Sequence, residues 1–246
     1  MSSRKRSAST SLEDSEEAKK GTIPKRPQLF NTLAGHGGRK GVRGEMEDTH
    51  IMLPKYELGP EQIFLSRSSL FAIFDGHAGP RAAQFCQDMM AKTLKENLSE
   101  FTDWTTMRKE LKNVFINTYD DVDAEYKAIA RPSCMQNRAE WKDGTTATTM
   151  LILNNALYVA NVGDSRAVVA RKKEDGTLGA ICLTVDHHPM VHEERMRIQS
   201  TGIKVINGRV NGVIEVSRSI GDLPFRNMGV ICTPDIKKLT LTEHDQ

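Results

Sequence analysis

The 246-residue chain carries 34 basic and 32 acidic side chains, a net charge of +2, with 38% hydrophobic residues and four cysteines. The near-balance argues against a general nucleic-acid binder, which carries a basic face, and no run of about 18 apolar residues offers a membrane-spanning helix. The cysteines form no CxxC pair, which argues against a structural zinc site or disulfide scaffold and for free thiols in a soluble intracellular protein.

Residues 1–38 read as a disordered tail. It is Ser- and Arg/Lys-rich, then acidic, then basic with prolines, and so is too polar to bury a core. Arg4-Lys5-Arg6, Lys19-Lys20 and Lys25-Arg26-Pro27 fit a nuclear-import signal and a merely solvated basic tail equally well, so a cytoplasmic or nuclear location is expected. Folding is expected from residue 39 onward. Glycines at 41 and 44 lead to Met46-Glu47-Asp48-Thr49, and a strand is predicted from His50 to Leu53, ending at Pro54. An extended backbone from Arg43 would place Arg43 and Glu47 on one face and Asp48 on the other.

The apolar run Leu70–Phe74 reads as a buried strand that stops at Asp75-Gly76-His77. Asp-Gly is turn chemistry. The Asp is a hard oxygen ligand for magnesium or manganese, the Gly allows a main-chain carbonyl to face the same ion, and the His is the commonest acid or base near neutral pH. Alone, the motif is more simply a strand and a turn. Two amphipathic helices are predicted next, the first starting at Pro80 and the second running from about Met107 to Ile129, before Pro132. A polar loop at 131–143 precedes predicted strands Thr145–Leu153 and Ala156–Val162, joined by Asn154-Asn155 and ending in Gly163-Asp164. A second hairpin pairs Ala167–Lys172 with Gly179–Thr184. A short helix follows Asp186-His187-His188-Pro189, with Gly202 at its end. Asn207-Gly208 forms a turn, and Val210–Val216 reads as a last strand leading to Ser217–Asp222. His187 and His188 read as loop residues, because adjacent side chains seldom face one ion.

Glu47, Asp48, Asp75, Asp164 and Asp222 all fall at strand edges or in the loops just after them. Carboxylates gathered together repel one another unless a cation lies between them, and the absence of soft ligands favours Mg2+ or Mn2+ over zinc. Two such ions generate a nucleophile from water and hold a phosphoryl group in line. Arg43 supplies a planar fork for phosphate oxygens, and His77 a proton for the leaving oxygen. The residues therefore indicate a metal-dependent phosphoric-ester hydrolase; a nuclease would use the same parts but lacks a basic, aromatic-lined groove here.

Six segments, RGEMEDTH (43–50), FAIFDGHAG (71–79), WKDGTTAT (141–148), VANVGDSRAVV (159–169), EERMRI (193–198) and EVSRSIGD (215–222), occur in the order seen in the type 2C metal-dependent Ser/Thr protein phosphatases, which the chain resembles over about residues 40–240. The resemblance implies an α+β fold, a four-layer α/β/β/α sandwich of two packed antiparallel sheets flanked by helices. By position it implies Asp75 as the carboxylate bridging two Mg2+ or Mn2+ ions and Gly76 as a carbonyl ligand. Glu47 resembles a ligand of the second ion, Asp48 an acceptor for its water, and Asp164 the position linked to a weaker third ion. Arg43 matches the phosphate-binding residue and His77 the general acid, while Ser217–Asp222 match a chiefly structural motif. The implied reaction is direct hydrolysis of phosphoserine and phosphothreonine by a monomer. Phosphoprotein substrates and kinase-associated signalling proteins are its expected partners, without nucleic acid or membrane. The family pattern continues into further strands carrying metal carboxylates, so a C-terminally incomplete domain, and as an alternative a non-catalytic phosphoprotein-binding isoform, are also expected.

Overall fold

The computed structural model describes residues 32–131 and 141–245. The basic clusters of the tail, Cys134 and most of the loop at 131–143 lie outside the described residues. Strand β1 (Thr49–Leu53) pairs antiparallel with β2 (Ser68–Phe74), and the two-residue strand β3 (Gly76–His77) follows directly. Helices α1 (Arg81–Ser99) and α2 (Trp104–Ala130) come next; Asp103 caps α2 by accepting the Thr106 N–H at 2.9 Å. The chain then forms β4 (Gly144–Thr145), β5 (Ala147–Leu153), β6 (Ala156–Val162), β7 (Val168–Lys172) and β8 (Leu178–Cys182). Helix α3 (His192–Ser200), β9 (Val205–Ile206), β10 (Arg209–Val210), β11 (Ile220–Gly221) and β12 (Asp235–Thr240) complete it.

One antiparallel five-stranded sheet, in the order β1-β2-β5-β6-β12, carries the fold. Strand alternation sorts its side chains. Leu70, Ala72 and Phe74 of β2, Leu151 and Leu153 of β5 and Tyr158 and Val162 of β6 join Met90, Leu94 and Leu98 of α1 and Leu111 and Phe115 of α2 in the main core. Each such Leu or Phe contributes on the order of 1.5–3 kcal/mol when buried. Ile152, Leu157 and Val159 point to the opposite face, where Val169 of β7 and Leu183 cover them. Ile198, Val210, Ile214, Val216 and Val230 make a third cluster beneath α3.

The mixed α+β class expected from the sequence is observed. Among the described residues the layers are helices, the five-stranded sheet and the β7–β8 hairpin. The hydrophobic cluster beneath that hairpin includes no helix residue. Three local expectations are corrected. The chain from Gly41 to Glu45 bends instead of extending, so strand alternation does not set the relation of Arg43, Glu47 and Asp48. The strand predicted from Thr145 is interrupted at Thr146, whose hydrogen bonds go to Asp75. The predicted strand Val210–Val216 turns back after Val210, because Asn211 and Gly212 adopt left-handed backbone angles and the Val210 N–H bonds the Ile214 carbonyl.

Candidate active site

Two strand ends meet at Thr146. The Asp75 N–H donates to its Oγ1 at 3.1 Å, and the Thr146 N–H donates to the Asp75 carbonyl at 3.0 Å. Thr146 Oγ1 also lies 2.7 Å from Ser165 Oγ. The corner after β2 and the Gly163-Asp164-Ser165 turn after β6 are thereby tied together. Asp48 approaches the same place from the segment before β1. Partial burial and the charges of Asp48 and Asp164 hold the Asp75 carboxyl above its ordinary value, with His77 pulling the other way. Glu47 is brought in through its backbone: a Cβ on Gly76 would stand 2.4 Å from the Glu47 carbonyl oxygen, so only glycine allows this approach. The structure therefore gathers Glu47, Asp48, Asp75, Gly76, His77 and Asp164. Arg43 is exposed on the preceding bend and makes no ion pair with them.

His77 is held from the other side. In the three-stranded sheet β11-β4-β3, His77 pairs with Gly144 and Gly144 with Gly221, which delivers Asp222 to the imidazole. Nε2 of His77 lies 2.7 Å from Oδ2 of Asp222, a carboxylate only 1% exposed that also accepts the Ser219 hydroxyl at 2.6 Å. Burial opposes the charged imidazole. The hydrogen bond and charge of Asp222, with Asp75 and Asp164, outweigh it and raise the His77 pKa above its ordinary value. The sequence reading grouped Asp222 with the other acids and its motif with structural segments. The structure separates it from them as the partner of His77.

Two further residues carry roles the sequence reading did not assign. Asp143, in the segment read as a polar loop, is buried. It accepts the Ala82 N–H at the start of α1, two donors of Arg81 and the Tyr126 hydroxyl, while Arg81 stacks on Trp141. His187 is 2% exposed, and its Nδ1 accepts the Gly163 N–H at 3.1 Å. Burial and the nearby Arg218 push its imidazole below the ordinary value, so it stays neutral.

Among the described residues, no three His, Cys, Asp or Glu side chains stand in a ready-made metal cage. The donor set nevertheless suits a hard divalent cation. It consists of carboxylates and backbone carbonyls without thiolates, and the burial and acidic neighbours that together raise Asp75 are what such a cation offsets. The group of acids with an imidazole held by a buried carboxylate can position phosphate oxygens around cations and supply a proton.

A family model described as Protein phosphatase 2C matches residues 33–246. The chain is 40% identical over 239 residues to an integrin-linked kinase-associated serine/threonine phosphatase 2C of Bos taurus, covering 94% of this chain and 62% of the relative. It is 35% identical to probable protein phosphatase 2C 8 of Arabidopsis thaliana, covering 94% of this chain and 66% of that protein. The chain spans 53–62% of the length of the integrin-linked kinase-associated relatives it matches. Among solved structures, a C. elegans sex determining protein superposes with a TM-score of 0.66 at 25% identity, over 82% of this chain and 47% of that one. A serine-threonine phosphatase 2C from Toxoplasma gondii has the same fold at a TM-score of 0.68 and 20% identity, over 83% and 72% of the two chains. The meeting of these strand-end acids around His77, and a family match over nearly the whole described chain, lead to one conclusion: the chain belongs to the protein phosphatase 2C family.

Proposed function

We propose that the protein hydrolyses phosphoserine and phosphothreonine in phosphoproteins, with Mg2+ or Mn2+ ions held by Asp75, Glu47 and the Gly76 carbonyl and assisted by Asp48 and Asp164. The observation that carries this reading is the tying of the Asp75 and Asp164 corners at Thr146, beside a His77 held by Asp222; burial, Asp48 and Asp164 together hold the Asp75 carboxyl above its ordinary value. When bound, two such ions activate water and neutralise phosphate charge. Arg43, exposed at the rim, offers a bidentate fork to phosphate oxygens. His77, held by Asp222, donates a proton to the departing seryl or threonyl oxygen. Thr146 keeps the two acidic corners in fixed relation. For the whole domain we infer the four-layer sandwich, which the helix layer, the five-stranded sheet and the covering hairpin support as its first three layers. The kinase-associated names of its relatives support phosphoproteins of kinase signalling as its substrates.

The test is Mn2+-dependent phosphate release from a phosphothreonine peptide by the purified protein. Release should stop with chelator, return with metal and be lost in Asp75→Asn. Turnover unaffected by chelation or by that substitution overturns the reading.

A further inference from the structure

The turn that presents Asp164 needs external support. Gly163 has φ +93°, a left-handed backbone that side chains rarely adopt, and its Cα faces Thr146 so closely that a Cβ would stand 2.5 Å from a Thr146 methyl. Asn161 Nδ2 donates to the Gly163 carbonyl at 3.3 Å, and two shorter contacts, one to the carbonyl and one to the N–H, both come from a single residue. The His187 N–H donates to the Gly163 carbonyl at 3.0 Å, and the Gly163 N–H donates to Nδ1 of the His187 ring at 3.1 Å. Because Nδ1 accepts, the ring proton of the neutral imidazole sits on Nε2. His187 is in turn fixed. Its carbonyl accepts the Ser217 N–H at 2.9 Å, and its Nε2 lies 3.2 Å from Oδ2 of Asp235, not aligned for a hydrogen bond.

From this arrangement, and resting on the metal-phosphate reading above, we infer that His187 is a positioning residue for Asp164, its Nδ1 lone pair locking the Gly163–Asp164 turn against the corner of Asp75. A merely space-filling histidine would need no acceptor at Nδ1. A backbone N–H left unpaired in this buried place carries the full desolvation penalty of that group, enough to let the turn swing and carry Asp164 away from Asp75. The residue touches neither substrate nor ion; it acts through the backbone of Gly163.

The two amide isosteres separate this role from simple packing. In His187→Asn the side-chain oxygen takes the place of Nδ1; in His187→Gln it takes the place of Nε2. The measurements are amide hydrogen exchange at Gly163 and Asp164 and calorimetric Mn2+ affinity, neither of which needs turnover. His187→Asn should keep Gly163 protection and the Mn2+ Kd within about threefold of the wild type. His187→Gln should lose protection at Gly163 at least about tenfold and weaken Mn2+ by about 10- to 100-fold, the range for groups that orient ligands from behind. A folded Gln variant with native protection and affinity, or an Asn variant as impaired as the Gln one, overturns the proposal. If the Gln variant does not fold, a through-hydrogen-bond nitrogen–nitrogen coupling between Gly163 and His187 in the wild-type protein decides, its presence supporting the lock and its absence refuting it. If the wild type binds no Mn2+, the metal reading fails, while the exchange data still decide whether His187 holds the turn.

Discussion

Nε2 of His77 and Oδ2 of Asp222 lie 2.7 Å apart although 145 residues separate them in sequence. The buried carboxylate fixes the ring beside β4, and the charges of Asp222, Asp75 and Asp164 favour its protonated form. His77→Gln should lower kcat on phosphopeptides by about 10²–10⁴-fold, the range for a lost general acid. Asp222→Asn alone should lose part of that with KM little changed. In the His77→Gln background, Asp222→Asn should cost almost nothing more, since both residues serve one proton transfer. Additive losses in the double variant would separate Asp222 from His77.

Repulsion among Asp48, Asp75 and Asp164 gives a prediction that needs no catalysis. Asp75→Asn removes the central charge and should raise the melting temperature of the metal-free protein by about 1–3 °C, because pairs this open to solvent exchange only about 0–1 kcal/mol. The wild type should gain stability on adding Mn2+ and the variant should not. Differential scanning calorimetry with and without chelator reads both effects. A variant less stable than the metal-free wild type would argue against strain at this corner.

Much of the fold was legible because local pattern and tertiary burial agree. The apolar run Leu70–Phe74 is β2, the stripe through Leu111, Phe115 and Val122 is the buried face of α2, and Asn154, at φ 56°, makes the turn between β5 and β6. The acidic strand ends were legible too, since Asp75 directly follows hydrophobic β2 and Asp164 follows hydrophobic β6 after a single glycine. Partners set by long-range register were not. Nothing near Asp222 in the sequence names His77, and nothing near His187 names Gly163. The first contact depends on β3, β4 and β11, strands of two residues each that are too short for any periodicity, and the second joins the turn after β6 to an irregular loop before α3. The Val210–Val216 strand failed for the opposite reason: its β-branched pattern was real, but left-handed Asn211 and Gly212 imposed a turn.

Asp143 joins Tyr126, the first turn of α1 and Arg81, which itself stacks on Trp141, and has 0% side-chain exposure. Asp143→Ala leaves the Ala82 N–H and the Tyr126 hydroxyl without this acceptor and frees Arg81. Arg81 is half exposed and can turn to water, so the loss comes from the buried Ala82 N–H and Tyr126 hydroxyl, each costing about 1–3 kcal/mol when unpaired. Urea titration should show an earlier midpoint with an unchanged slope, because the same surface is exposed on unfolding. A loss below about 1 kcal/mol would mean that water replaces the carboxylate.

Glu194 on α3 offers the pH test. It is 2% exposed, and its carboxylate accepts from Arg197 at 2.6 and 2.8 Å, from Arg218 at 2.7 Å and from the Ser217 hydroxyl at 2.5 Å. Burial alone would raise its pKa, but Arg197, Arg218 and Ser217 overcome that and hold the carboxyl far below its ordinary value of 4.5. A depressed folded pKa gives stabilisation that is complete above the unfolded value. As pH falls below about 4.5, the unfolded chain takes up this proton while the folded chain does not. This site alone then erodes stability by up to about 1.4 kcal/mol per pH unit. Glu194→Gln cannot titrate. It should be less stable than the wild type at pH 7, where it leaves Arg197 and Arg218 without their shared anion, and the gap should narrow steadily between pH 4.5 and pH 3. Urea unfolding of both proteins across that range isolates the site from other carboxylates, which titrate equally in both. Curves that stay parallel down to pH 3 would show that Glu194 is not held ionised by its arginines.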